Sequence, residues 1–171
     1  MTPSQDLKLE LVAVRERLLA AIAGVNEEQF KRRPQAAGDD KPWCIAEVLG
    51  HLLQQERLRG ERITKALAKN GATVEPVLPE EQDRGAQAGR VAPVPQLIHG
   101  LLASRREIER SLDEAVLLPN GLARYVVIPG AGDASIEAML RQGVIEHEAE
   151  HVAQILSIRA AVGATPSGVG A

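Results

Sequence analysis

The sequence predicts an all-α protein, a four-helix bundle with long connecting loops. Three observations predict it. Four stretches carry apolar residues at steps of three and four, the period of one helix face. Pro34, Pro76, Pro79, Pro119 and Pro129 fall in the intervals between them, and Pro42 borders one. Only Arg124–Ile128 reads as a strand, and alone it makes no more than a short hairpin or a loop edge.

The first helix is expected over about 5–25, with Leu7, Leu11, Val14, Leu18, Ile22 and Val25 on one face. The second follows Pro42-Trp43-Cys44 and runs to about Asn70. Its stripe is Ile45, Val48, Leu49, Leu52, Glu56, Ile63 and Leu67, and Asn70-Gly71 is a plausible stop. The third spans about 93–117 with Val94, Leu97, Ile98, Leu101, Arg105, Ile108 and Leu112 inward. Pro93 and Pro95 suit its first turn, where a missing N–H costs little. The fourth starts at Asp133 or Ser135, both good N-caps, and runs to about Val162. Its stripe reads Ile136, Met139, Leu140, Val144, His147, His151, Gln154, Ile158 and Val162. The intervals 26–41, 71–92 and 118–132 are read as irregular. They are longer than a minimal bundle needs, and long loops often cover a site.

With 171 residues, 44% of them apolar, residues 1–171 suffice for one domain, with a packed core over about 5–162 and a frayed tail over 163–171. A net charge of −3 and only three aromatics (Phe30, Trp43 and Tyr125) argue against nucleic acid as a partner. The longest apolar run, 18–25, is far short of a membrane span, and the N-terminus lacks the apolar block of a signal peptide. Cys44 is the single cysteine, so neither a disulfide framework nor a thiolate zinc cluster is available, and a cytoplasmic setting is expected.

Chemistry concentrates in the histidines. His147 and His151 are about 40° apart around the helix and one turn apart along it, so their rings can converge on one ion. Both sit within the predicted core stripe, where unpaired imidazoles would be costly, and Gln154 is a third polar group beside them. His147-Glu148-Ala149-Glu150-His151 also matches H-E-x-x-H, in which the Glu acts as general base of a metalloprotease. The extended form fails: Gln154 replaces its Gly, Ser157 its third His, and no His, Asp or Glu follows His151. Glu148 is therefore read as a solvated residue flanking the pair, and a third ligand must come from upstream. His51 lies about 60° beyond Val48 around the second helix, and periodicity leaves it open between ligand and boundary residue. His99 lies well off the third stripe and reads as a surface residue. Glu56 and Arg105 are charges on core stripes: either they reach outward at a stripe edge, or they pair or line the metal cavity.

Pro42-Trp43-Cys44-Ile45-Ala46-Glu47-Val48-Leu49-Gly50-His51-Leu52 resembles the W-[ST]-x-x-E-[IV]-x-x-H-[LI] signature of the DinB-like superfamily, which includes the YfiT-like four-helix proteins. The second hallmark of that family is H-x-x-x-H late in the last long helix, usually followed by Q-[IL]. Here it is His147 and His151, followed by Gln154-Ile155. The resemblance spans about 5–159. It implies one divalent metal ion, zinc or nickel, held by His51, His147 and His151 with positions left open. It also implies a small-molecule substrate, with thiol-dependent transferases and isomerases among the family's activities, a low-molecular-weight thiol as co-substrate, and hydrolases assigned by analogy. Cys44 stands where the family usually has Ser or Thr, and is read as a plain substitution at the N-cap rather than a reactive thiol.

These readings lead to a metal-dependent enzyme, of S-transferase or hydrolase type, whose catalytic residues beyond the ligands are unknown. The competing readings are a metal-containing stress-response or binding protein without turnover, and a metal-free bundle with structural histidines. A second apolar stripe on the fourth helix, Ile145, Ala149, Val152 and Leu156, calls for a cover: a homodimer partner, or else the 71–92 interval folded back.

Overall fold

The computed structural model of the chain describes residues 3–35 and 42–163, so the tail predicted to fray lies, after Gly163, outside the described residues. The four predicted helices are present. They are α1 (Pro3–Ile22), α3 (Ile45–Ala68), α5 (Val94–Leu117) and a fourth that runs through α6 (Ile136–Leu140), a π-helical segment (Arg141–Glu146) and α7 (His147–Ala161). Their caps follow the sequence. Ser135 accepts the Ala138 N–H at the start of α6, and Pro93 precedes α5. Within the bundle, α3 packs on α5 and α7, and α1 packs on α7 and α5.

The intervals are more ordered than their sequences suggest. The first carries a short helix, α2 (Glu27–Lys31), closed by a capping box between Asn26 and Gln29. The second carries α4 (Arg84–Val91), whose glycines conceal it in the sequence and yet explain its position. It lies so close against α3 that a side chain on Gly89 would run into the Ala46 carbonyl, and one on Gly50 into the backbone of Gly85 and Gly89. A sheet of three short strands exceeds the short hairpin or loop edge expected of the one strand-like run. β1 (Ala72–Thr73) pairs in parallel with β2 (Tyr125–Ile128), Ala72 opposite Val126. Strand β2 then forms a hairpin with β3 (Gly132–Ser135), Tyr125 opposite Ser135. The strand-like run is thus one arm of a hairpin. Its partners, two residues long or reading Gly-Asp-Ala-Ser, carry no apolar alternation to betray them.

The core is divided in two. One apolar cluster contains Leu18, Phe30, Leu49, Leu97 and Ile155, and the other Leu7, Leu11, Ile63, Leu112 and Leu140. Four buried charges lie between them, one from each long helix. Arg15 donates from Nε to Glu148 Oε1 (3.0 Å) and from Nη2 to both Glu148 Oε2 (2.9 Å) and Glu56 Oε2 (2.7 Å). Arg105 donates to Glu56 Oε1 (2.6 Å) and Glu148 Oε2 (2.5 Å). Ser104 Oγ adds a bond to Glu56, and Leu101 O and Leu11 O accept from the two arginines. Two positive and two negative charges, each no more than 5% exposed, are thereby neutralised and hydrogen-bonded. Of the two accounts of Glu56 and Arg105, pairing holds and outward reach does not. The reading of Glu148 as solvated is corrected: it is 2% exposed.

The π segment explains that correction. Ile136, Leu140, Val144, Glu148 and Val152 are all buried at strict steps of four, which on a regular α-helix would drift by about 160°. The wider turns of the π segment absorb much of that drift, so Glu148 rather than His147 continues the inward stripe. The same phase change alters the second stripe. Ile145 and Val152 are buried within the chain and Leu156 is half exposed, so these residues form no separate outer face. The 71–92 interval packs on α3 instead. Among the described residues no helix is long and apolar enough to cross a membrane.

Removing Glu56 would leave the two arginines sharing one carboxylate. Glu56→Ala is expected to lower unfolding free energy by about 3–5 kcal/mol. Denaturant titration checks this, and a loss below 1 kcal/mol would show that the charges do not tie the helices together.

Candidate metal centre

The local sequence around α3 places the first histidine. Cys44 is the N-cap, and its backbone N–H donates to Glu47 Oε2 (2.8 Å). Arg33 Nε donates to the same oxygen (3.0 Å). Burial would raise the Glu47 pKa, but Arg33 and the capped N–H outweigh it and hold the carboxyl below its ordinary range. Glu47 is thus committed to starting the helix. The Cys44 side chain is fully buried and burial pushes its pKa up, as suits a structural residue rather than a thiolate.

The charged layer places the other two. With Glu148 held inward by Arg15 and Arg105, His147 and His151 lie about 100° and 60° from it around α7 and face the seam with α3. His51 meets them there. Its Nε2 lies 3.2 Å from His147 Nε2, which lies 3.2 Å from His151 Nε2. The three side chains are half-buried, and their ligand atoms fall within 4.8 Å of one another, a group that could hold a metal ion. The Trp43 ring covers them, its centroid 5.1 Å from that of His51 and 6.5 Å from that of His151. His99 is exposed on α5, as its position predicted.

Two features describe what this cluster can do. First, His151 Nδ1 lies 2.7 Å from Gln154 Oε1. Donation there leaves the lone pair on Nε2, pointing into the cluster. Second, His147 Nε2 has one proton or one lone pair but faces two nitrogens, so it can satisfy only one of the two contacts. A cation at the centre resolves this conflict. Three imidazole nitrogens around a tetrahedral zinc ion stand roughly 3.3 Å apart, close to the observed spacing. Burial, His151, His51 and Arg59 lower the His147 pKa to about 4, and burial and His151 lower that of His51. Both rings are thus held neutral, the form that ligates. His51 Nδ1 is buried without a hydrogen bond of ordinary geometry, and the Gln82 backbone beside it opposes the lowering of the His51 pKa.

A cavity of about 380 Å³ opens beside the cluster. His51 and His147 line it together with Gln55, Arg59 and Arg62 of α3, and the sheet contributes Ile128. Neither arginine stands out in the sequence reading. The signal was available: His51, Gln55, Arg59 and Arg62 recur at steps of four, four and three, a polar stripe beside the apolar one. A larger cavity of about 620 Å³, between α3, α4 and α5, touches none of the three histidines.

Comparison with known proteins gives two findings and one negative result. A family model describing the DinB superfamily matches residues 10–155. Among solved structures, YfiT from Bacillus subtilis, described as a probable metal-dependent hydrolase with an unusual four-helix bundle topology, superposes with a TM-score of 0.75 at 16% identity. The superposition covers 96% of this chain and 91% of that one. The search of curated proteins found no match.

The low pKa of His147 ties the fold to pH. Its folded value lies below 6.5, so the unfolded chain binds the extra proton first. The stability this represents is complete above about pH 6.5 and is lost as pH falls toward about 4. Urea midpoints of chelator-treated protein are expected to decline across that window, and His147→Gln to flatten the decline. An unchanged slope in the variant would place the titration elsewhere.

Proposed function

Since this chain belongs to the DinB superfamily, we propose that His51, His147 and His151 bind one divalent ion, zinc or nickel, in an enzyme acting on a small molecule. The observation that carries the metal reading is the convergence of three Nε2 atoms, with one nitrogen caught between two others and satisfiable only once. Three protein ligands leave a position free, as in catalytic rather than closed structural zinc sites. Bound there, such an ion supplies Lewis-acid polarisation of a substrate or lowers the pKa of a water or thiol.

The remaining roles belong to the chain's own groups. Gln154 sets the tautomer of His151. Trp43 shields the cluster from one side, and the cavity beside His51 and His147 admits a reactant from the other. That cavity is what favours turnover over a metal-storing or purely structural role. Glu148 does not act as a zincin-type base, because both its oxygens are engaged by Arg15 and Arg105. The reaction proposed is a thiol-dependent S-transfer or a hydrolysis, with a low-molecular-weight thiol as the co-substrate in the first case.

Protein purified without a histidine tag is expected to carry one equivalent of metal by elemental analysis. His51→Ala, His147→Ala and His151→Ala should each reduce that content at least tenfold, roughly the effect of losing one of three ligands. Full stoichiometry in all three variants would reject the site. A panel of small thiols with electrophiles, and of ester and amide substrates, then separates transfer from hydrolysis.

A further inference from the structure

Buried arginines ordinarily have carboxylate partners, and in the charged layer Arg15 and Arg105 do. The two that line the cavity beside the histidines, Arg62 buried and Arg59 half-buried, do not. Arg62 is only 8% exposed. Its Nη2 donates to the Glu75 carbonyl oxygen (3.0 Å), and its Nε is buried with no partner. Arg59 donates from Nη1 to Gln55 Oε1 (3.2 Å), a neutral acceptor. Among the described residues, no carboxylate forms an ion pair with either guanidinium. Asp83 is exposed, and its charge acts on His51. Burial and the charge of Arg62 both oppose the charge on Arg59.

The surroundings make room for this arrangement. Gly143, in the π segment, faces Arg59, and a Cβ there would come within 2.5 Å of its Nε. The sheet side of the cavity is apolar, with Val77 and Ile128. Such a wall lowers the local dielectric and strengthens any charge pairing inside. Two unneutralised forks of N–H donors in a cavity of about 380 Å³ are suited to one compact, planar or tetrahedral oxyanion.

We propose that Arg59 and Arg62 form an oxyanion subsite, so that the substrate carries a carboxylate or phosphate group held by both guanidinium groups while its reacting end lies toward His51 and His147. The placement of the reacting end rests on the metal reading above. The anion subsite itself does not.

Isothermal titration of the full-length metal-loaded protein with acetate and, separately, inorganic phosphate tests the subsite, and the tighter anion assigns the substrate class. The same titrations follow on chelator-treated protein, where an anion has no metal to bind. Arg59→Gln is expected to weaken the tighter anion about tenfold or more in both forms while metal content stays unchanged. Arg62→Lys, which keeps a buried cation and so protects the fold, should weaken it less, because the charge stays and only the fork is lost. The subsite is overturned if neither anion binds the native protein, or if Arg59→Gln binds both as tightly as the native protein does. Arg59-dependent phosphate binding in a protein that takes up no metal even when zinc or nickel is supplied would support the subsite and reject the metal reading alone.

Discussion

The structure depends on the neutralisation of four charges at mid-height of the bundle. Arg15, Glu56, Arg105 and Glu148 come one from each long helix, and their bonds run across the bundle as well as around it. Apolar packing alone tolerates rotation of a helix by part of a turn, because one aliphatic side chain substitutes for another. A buried carboxylate does not, because turning it away from its guanidinium leaves two unpaired charges in a low dielectric. The network therefore fixes the rotation of all four helices at one level. Its expense in desolvation is offset by the hydrogen bonds that satisfy it, including those from Ser104 and to two backbone carbonyls.

The histidine cluster follows from that constraint. Once Glu148 is inward, the residues on either side of it in sequence and one turn along must lie at the helix seam, and the α3 seam brings His51 opposite. Regular α-helix could not hold Ile136, Leu140, Val144, Glu148 and Val152 on one core face without drift, and the π segment reconciles them. Its Gly143 also leaves the space that Arg59 fills. One local irregularity thus serves the core, the cluster and the cavity.

This also explains what could be read from the sequence. The four long helices and their apolar faces were legible, because Leu7 to Ile22, Ile45 to Ile63 and Val94 to Leu112 repeat a physical period. The histidines were legible because a ligand pair imposes its own spacing. Glu148 was not, since periodicity carried through the π segment as if it were α-helix puts the histidines inward and Glu148 outward. Helix α4 and strand β3 were hidden for a different reason. Gly85, Gly89 and Gly132 are there to permit close approach or a turn, and residues chosen for small size carry no amphipathic signal. Arg59 and Arg62 were visible as a stripe, but a charged stripe on a helix usually faces solvent, and only burial distinguishes these two.

The electrostatics of the two sides of α3 differ in a way that bears on chemistry. On its inner side Glu56 is fully engaged by Arg15 and Arg105, so it has no charge to offer elsewhere. On its cavity side the same helix presents neutral His51 and then two arginines without carboxylates. On the proposed reading, three imidazoles would give a divalent ion lone pairs but no charge compensation, and the nearby guanidinium groups would oppose it. A centre of this kind is electrically incomplete on its own. An anionic reactant would offset part of the charge of the ion and both arginines at once, and the same field would lower the energy of negative charge developing on the reactant. On that reading the two occupants would be coupled: each would be held more weakly alone than together, and by linkage each would raise the affinity for the other by the same factor.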